Sequence, residues 1–280
     1  MLTRSKKSIV LGLLCSTLMM SSCKTTDQAA QKQSLLHSAP QYGFEYKKFA
    51  TTPLPIYGWA RIDSPEQSVH VYIEGDGFAY ISKSRASSDP TPTKSVAMNL
   101  AKADTHDNVV YLARPCHFGT DNDFKTVCHK KYWTTHRYGQ NVLQSFHAAL
   151  NSIGSHKFDL IGHSGGANIA GLIAVSRNDI QSIRTVAGNV DNDFFTRHHN
   201  VSDMPYSLNM ADYAAKLSNI PQYHFIAQTD KFVPKDIYQN YRSKLSSLNC
   251  TNTEIITGTK HLSGWASQWP QLIKKSPACG

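Results

Sequence analysis

Ser164 is the residue of this sequence that is best placed for chemistry, because it lies in the run Gly162-His-Ser-Gly-Gly166. The segment before it, 157–161, has the pattern of a strand, and the apolar segment after it, 167–175, has that of a helix. A serine hydroxyl is a weak nucleophile at neutral pH, and a sharp strand-to-helix turn is one way to present it to a base. Short patterns of this kind also arise by chance. The rest of the chain must therefore supply an acid and a base.

An acid and a base do follow Ser164, each at the end of a predicted strand. Asp230 comes after the strand-like segment 222–228, and His261 comes after the strand-like segment 253–257. In such a set the imidazole takes the serine proton, and the carboxylate holds the imidazole in the useful tautomer and stabilises its charge. We therefore predict a catalytic triad of Ser164, Asp230 and His261.

Other side chains compete for these roles. Asp191 and Asp193 follow the preceding predicted strand and are alternative positions for the acid. Asp230 is also suited to cap the helix predicted after it, since Asp is favoured near helix starts. The pair His198-His199 suggests a metal site, but we assign 192–200 to a polar loop over the site. Asp230 and His261 are preferred for their places after the late strands.

The elements that position these residues alternate along the chain. We predict strands at 42–50, 56–62, 68–74, 108–113, 157–161, 183–187, 222–228 and 253–257, and helices at 95–103, 138–153, 167–175, 209–217, 235–245 and 262–274. This alternation predicts an α/β fold whose mainly parallel sheet is covered by helices on both faces. Ligands of such sheets bind at the carboxyl ends of the strands, where Ser164 lies.

With these three residues in this order, the chain resembles an α/β-hydrolase. The serine pentapeptide, Asp230 and the late His261 all fall on the strands that this family uses. The chain is also similar to uncharacterised bacterial α/β-hydrolase lipoproteins, which share stretches like Glu74-Gly-Asp-Gly77 and Ala113-Arg-Pro-Cys116. The resemblance implies the α/β-hydrolase fold with a small cap segment within 188–219.

The resemblance also implies an activity, which is covalent acyl transfer to water. We expect a serine hydrolase that cleaves a carboxylic ester of a small molecule or a lipid, through an acyl-enzyme intermediate and without a cofactor. A thioesterase, an amidase or a peptidase of the same fold is the alternative. A second alternative is a non-enzymatic envelope protein that uses the fold as a binding module. An intact triad in the proper order argues against that last reading.

The developing oxyanion of such a reaction needs two backbone donors. One is expected from the amide of Gly165, which follows the nucleophile. By the resemblance, the other comes from the turn after the third strand, at Asp76 or Gly77; this turn often begins with His-Gly in the family and reads Glu74-Gly75 here. The side chains of Glu74 and Asp76 would then have to point away from the oxyanion.

The N-terminus has the pattern of an export signal. Residues 1–22 carry three basic residues, an apolar stretch and small residues before Cys23. The run Met20-Ser-Ser-Cys23 resembles the bacterial lipoprotein box, in which cleavage leaves a lipid-modified cysteine, and the following Lys24 resembles lipoproteins passed to the outer membrane. An ordinary secretory signal is the alternative. We predict an exported lipoprotein of the bacterial cell envelope, anchored to the membrane through Cys23.

Beyond the signal, we predict a solvated tether over 23–40 and one catalytic domain over 41–280. Removal of the signal takes away three of the 29 basic residues and none of the 20 acidic ones, which leaves a formal charge of +6. These basic residues are scattered and form no stripe that would bind nucleic acid. We expect a monomer that binds its substrate and the membrane, and no nucleic acid.

Four cysteines lie outside the signal and the lipoprotein box: Cys116, Cys128, Cys250 and Cys279. An even number in an oxidising compartment predicts disulfides, and the simplest pairing joins neighbours along the chain, although three connectivities are possible. The pairs Cys116-His117 and Cys128-His129 offer a metal site as the rival interpretation. Adjacent side chains point apart and the spacing is not that of a zinc finger, so we predict disulfides and no metal.

Overall fold

The computed structural model of the protein describes residue 30 and residues 33–154 and 156–280. The predicted signal peptide, Cys23 and the first part of the predicted tether lie outside the described residues. Within them, no helix is long and apolar enough to cross a bilayer.

The described residues form one eight-stranded sheet at the centre of the molecule. Its strands are β1 Glu45–Lys48, β2 Tyr57–Ile62, β3 Val69–Ile73, β4 Asn108–Leu112, β5 Phe158–His163, β6 Ile180–Val186, β7 Gln222–Ala227 and β8 Thr251–Ile256. Their order across the sheet is β1-β2-β4-β3-β5-β6-β7-β8. The pairings of β1 with β2 and of β2 with β4 are antiparallel, and every later pairing is parallel.

Helices cover both faces of the sheet. Their bounds are α1 Val96–Ala103, α2 Asp121–Thr126, α3 Gln140–Ile153, α4 Gly165–Ser176, α5 Asn192–His199, α6 Ala214–Leu217, α7 Lys235–Ser243 and α8 Trp269–Leu272, with 3-10 turns at Pro40–Tyr42, Lys130–Trp133 and Met210–Tyr213. One core cluster packs α3, α4 and α7 against one face, and a second packs α1 and α8 against the other. Because both faces are covered, the central strands consist mainly of apolar residues, as in the fully buried β4. The predicted α/β class and its two helical layers are confirmed.

Three helical segments differ from the sequence prediction. The segment 192–200, predicted as a polar loop, contains α5, because the Asp191 side chain accepts a hydrogen bond from Phe194 N and so caps the helix. The unpredicted α2 begins with a capping box between Thr120 and Asp123. The helix predicted over 262–274 is reduced to α8.

Part of the predicted tether belongs to the folded domain. Residues 33–38 are helical, and Leu35 and Leu36 pack against the core cluster that contains α1. Ser38 accepts a hydrogen bond from Lys102 Nζ at 2.5 Å. The predicted solvated tether over 23–40 therefore does not extend to residue 40, because the apolar side chains of this segment pack against that core cluster.

Both predicted disulfides are present. Cys116 is bonded to Cys128, and Cys250 is bonded to Cys279. The two Cys-His pairs considered as metal ligands therefore have no free thiolates. Across the described part of the chain, no group of three or more His, Cys, Asp or Glu side chains is placed to hold a metal ion.

Candidate active site

Ser164 lies at the turn between β5 and α4 in a backbone conformation that few residues other than glycine adopt. Its φ is 52° and its ψ is −122°. The surrounding backbone holds it there: Ser164 N donates to the carbonyl of Val186 at 3.1 Å, and its carbonyl accepts from Asn189 N at 2.9 Å. A strained residue of this kind persists only where its surroundings fix it, and such residues cluster at functional sites. This is the geometry predicted for a presented serine nucleophile.

The glycines around Ser164 let three chain segments approach one another. A Cβ on Gly162 would lie 2.5 Å from the backbone of Ala167, and one on Gly166 would lie 2.2 Å from the carbonyl oxygen of Ile73. Helix α4 can therefore start directly against the ends of β5 and β3 only because these positions carry no side chain.

Asp230 and His261 form a hydrogen-bonded pair at the carboxyl ends of β7 and β8. His261 Nδ1 lies 2.8 Å from Asp230 Oδ2, and the other carboxylate oxygen, Oδ1, accepts from the amides of Phe232 at 2.7 Å and Val233 at 2.9 Å. Burial alone would raise the pKa of Asp230, but the partnership with His261 and these two amides outweighs burial and holds the pKa below its usual range. Because an ionised carboxylate only accepts, His261 carries its proton on Nδ1 and keeps the lone pair of Nε2 free for a proton.

His163, the residue before Ser164, connects this pair to the serine turn. Its Nε2 lies 3.1 Å from the carbonyl oxygen of His261, and the centroids of the two rings are 5.2 Å apart. Burial and the neighbouring His261 lower the pKa of His163 to about 3, so it stays neutral and donates from Nε2. The structure thus brings all three predicted triad residues to one edge of the sheet.

The turn after β3 reaches the same place. A Cβ on Gly75 would lie 3.3 Å from Ser164 Cβ, and one on Gly165 would lie 2.3 Å from Asp76 Oδ1. Gly165, which carries one predicted oxyanion donor, therefore lies against Asp76, which carries one of the two candidates for the other, the second candidate being the amide of Gly77. Which of these two amides would face the oxyanion stays a prediction.

The two acidic side chains of this turn behave differently. Glu74 points away into the core, where its carboxylate accepts from Ser95 Oγ, from Tyr111 Oη at 2.8 Å and from the amide of Gly75 at 2.9 Å. Asp76, by contrast, lies directly against Gly165. The expectation that both would point away is wrong for Asp76, because basic partners compensate its charge at this position.

Those partners were not predicted from the sequence. Arg114 Nη1 donates to Asp76 Oδ1 at 2.8 Å, Arg137 Nη1 donates to Oδ2 at 2.7 Å, and Tyr138 Oη lies 3.1 Å from both oxygens. Burial acts to raise the pKa of Asp76, yet the two guanidinium groups lower it to about 2. The available signal was the place of Arg114 within Ala113-Arg-Pro-Cys116, directly after a predicted strand.

The alternative acids take other roles. Asp191 is fully buried, and its carboxylate accepts from Phe194 N at 3.1 Å, Asn209 Nδ2 at 3.1 Å, Asn240 Nδ2 at 2.6 Å and Lys244 Nζ at 2.7 Å. This set of partners leaves it no role towards His261 and makes it an anchor between α5 and α7. Asp193 is exposed on α5. His199 Nε2 donates a hydrogen bond to the carbonyl oxygen of Phe232, 2.8 Å away, and so ties α5 to the loop that carries Asp230.

Comparison with known proteins supports the architecture. No protein-family model and no curated protein sequence matches the chain. Among solved structures, an α/β hydrolase from Penicillium sp. sh18 is 11% identical with a TM-score of 0.58 and aligns over 83% of this chain and 96% of its own. An esterase from Pyrococcus furiosus is 14% identical with a TM-score of 0.58, over 86% and 95%.

A third structure, a membrane phospholipase A described as a bacterial virulence factor, is 12% identical with a TM-score of 0.54, over 89% of this chain and 91% of its own. Identities this low establish the shared architecture and no more. Both the strand order and these structural neighbours agree with the resemblance drawn from the sequence. The chain has the α/β-hydrolase fold.

Proposed function

We propose that the protein is a serine hydrolase that cleaves a carboxylic ester through an acyl-enzyme intermediate. One observation carries the proposal: a strained serine at a strand-to-helix turn shares a sheet edge with a hydrogen-bonded Asp230–His261 pair, 2.8 Å apart. A fixed nucleophile beside an oriented base is what acyl transfer requires. A binding module would have no need for the strain at Ser164.

The proposed reaction uses the side chains in a definite order. His261 Nε2 takes the hydroxyl proton as Ser164 Oγ attacks the carbonyl carbon, and Asp230 stabilises the imidazolium that forms. The negative charge on the carbonyl oxygen is met by the amide of Gly165 and by that of Asp76 or Gly77. His261 then returns the proton to the leaving alcohol, and it later activates the water that releases the acyl group.

The surroundings of His261 favour an ester with an apolar part. Phe232 is 63% exposed and its ring centroid lies 5.1 Å from that of His261, and the adjacent Leu262 is 52% exposed. Apolar side chains beside the reacting groups suit an alkyl or acyl chain. The esterase and phospholipase among the structural neighbours point in the same direction. A panel of p-nitrophenyl esters, thioesters and anilides of one acyl chain should show the ester hydrolysed fastest.

Labelling with a fluorophosphonate tests the catalytic assignment. The folded, oxidised wild-type domain should be labelled at Ser164, because the activated Oγ attacks phosphorus as it would attack a carbonyl carbon. Ser164→Ala should abolish labelling and hydrolysis, whereas the control Ser152→Ala, at the end of α3, should leave both unchanged. A folded wild-type protein that takes up no label would overturn the proposal.

We also propose that the mature protein is anchored in the cell envelope by lipid on Cys23, and its support is the sequence run Met20-Ser-Ser-Cys23. In bacteria fed an alkyne analogue of palmitate, the wild-type protein should acquire the label, and Cys23→Ser should lose it. Cys15→Ser, a change in the apolar stretch of the same segment, is the matched control and should keep it. Equal labelling of wild type and Cys23→Ser would remove the lipoprotein assignment.

A further inference from the structure

A carboxylate lies beside the residue whose amide is expected to stabilise the oxyanion of the proposed reaction. Asp76 Oδ1 is so close to the Cα of Gly165 that a Cβ there would come within 2.3 Å of it. The amide of Gly165 is the expected donor to the oxyanion. Two like charges a few ångströms apart in a partly desolvated site repel each other strongly, so an isolated Asp76 would oppose catalysis.

Two arginines more than neutralise the negative charge of Asp76. The side chains of Arg114 and Arg137 are 5% and 12% exposed, and each donates to a different oxygen of Asp76. The three groups therefore carry a net charge of +1. Asp76 remains ionised because the guanidinium groups hold its pKa at about 2 against the effect of burial.

The two guanidinium groups are themselves fixed. Arg114 Nη2 donates to the carbonyl of Arg137, and Arg137 Nε donates to the carbonyl of Thr134 at 2.9 Å. The Arg114 guanidinium also lies over the Tyr138 ring, 5.1 Å from its centroid, and that of Arg137 lies over the Tyr80 ring at 5.6 Å. A positive charge held in place by the fold needs no reorganisation when an oxyanion forms.

The cluster also joins three separate segments of the chain. Asp76 follows β3, Arg114 follows β4, and Arg137 and Tyr138 precede α3. Asp76 Oδ1 and Tyr138 Oη lie against Gly165, the first residue of α4, and both arginines bond to Asp76. The Asp76 carboxylate belongs to the turn after β3, which lies against the serine turn. The side chains that bond to it belong to neither turn, and they fix its position.

We propose that Asp76, Arg114 and Arg137 act as a positioning unit for the oxyanion site, in which the carboxylate holds the donor-bearing turn against Gly165 and the guanidinium pair makes the local charge positive. This inference rests on the proposed serine hydrolase function. The three residues act through the backbone donors and the local field, and none of them exchanges a proton with the substrate.

Substitution of Arg137 tests this role. Arg137→Gln takes the net charge of the cluster from +1 to zero, and it should lower kcat for a p-nitrophenyl ester at least about tenfold while KM stays within about twofold. The rate of labelling by a fluorophosphonate should fall in parallel. Arg137→Lys, which keeps the charge, should recover part of kcat. The control Arg177→Gln breaks the ion pair of Arg177 with Asp179 outside the site and should leave kcat unchanged.

Two results with folded Arg137→Gln would overturn the inference. One is an unchanged kcat and labelling rate, and the other is a raised KM at unchanged kcat, which would assign the guanidinium to binding an anionic part of the substrate. Failure of the wild-type protein itself to label would instead refute the hydrolase function, so the two failures are distinct.

A milder variant covers the case in which Arg137→Gln does not fold. Tyr138→Phe removes only the hydroxyl that contacts both oxygens of Asp76. It should fold and lower kcat and the labelling rate about threefold to tenfold. If Tyr138→Phe keeps the wild-type kcat and the wild-type labelling rate, the proposed positioning unit is contradicted.

Discussion

Replacing Asp230 by asparagine should lower kcat for ester hydrolysis by about four orders of magnitude. The carboxylate fixes the His261 proton on Nδ1, whereas an amide can donate to Nδ1 and so favour the tautomer in which Nε2 cannot act as a base. The fold should survive, because the side-chain oxygen that accepts from Phe232 N and Val233 N is retained. Steady-state kinetics with a p-nitrophenyl ester, together with a thermal unfolding curve, measure both effects.

Asp191→Asn is the matched comparison, since Asp191 was the rival acid. It should leave kcat within a few-fold of the wild-type value and instead lower the free energy of unfolding by about 1 to 3 kcal/mol. The loss comes from the charge-assisted bond of Lys244 Nζ to Asp191 at 2.7 Å, which an amide cannot replace. If Asp191→Asn abolished activity while Asp230→Asn kept it, the acid would have to be reassigned.

Mild acid should destabilise the protein strongly. Three histidines, His117, His163 and His224, are at most 3% exposed, and their pKa values are lowered to about 3 by burial, helped by Arg114 at His117 and by His261 at His163. Between about pH 6.5 and pH 3 the unfolded chain binds protons at these positions that the folded chain does not, so stability is full above pH 6.5 and falls as the pH drops. Each histidine contributes roughly 1.4 kcal/mol per pH unit, or ~6 kcal/mol for the three together at pH 5.

Urea unfolding at pH 7.5, 6 and 5 measures this dependence. His224 is a residue of β7, bonded through its ring to Thr185 at 2.8 Å and to Gln222 at 3.2 Å, and has no role in the proposed reaction. His224→Gln should therefore reduce the slope of stability against pH by about one third. His129→Gln, a change at an exposed position, should leave the slope as it is. A free energy of unfolding that is constant from pH 7.5 to 5 would show that these side chains are not buried in the neutral form.

The sheet and its helices could be predicted from the sequence because the parallel strands are buried on both faces. Such strands appear as short apolar runs bounded by polar turns, as at 158–163 and 222–227. Once the strands are placed, the residues just after them fall at one edge of the sheet. This placement is the basis on which Ser164, Asp230 and His261 are predicted to form the site.

The remaining features depend on contacts that no local pattern encodes. Helix α5 has few apolar residues, and its capping residue Asp191 is anchored by Asn240 and Lys244 of the distant α7 region. The helix predicted from residue 262 is delayed because Gly264 adopts φ +85° and Lys260 pairs with Ser263. The partners of Asp76 come from segments about 40 and 60 residues away, so only the fold brings them together.

The disulfide between Cys250 and Cys279 closes a covalent ring of chain that contains the proposed base, His261. Its two cysteines are 29 positions apart, and β8, His261 and α8 all lie between them. A second closure runs beside the bond, since the amide of Gly280 donates to the carbonyl of Asn249 at 2.9 Å. A single proteolytic cut anywhere inside this ring leaves both new chain ends attached to the body of the protein. The segment that carries the base therefore stays covalently attached after one cut, and this attachment is lost when the disulfide is reduced.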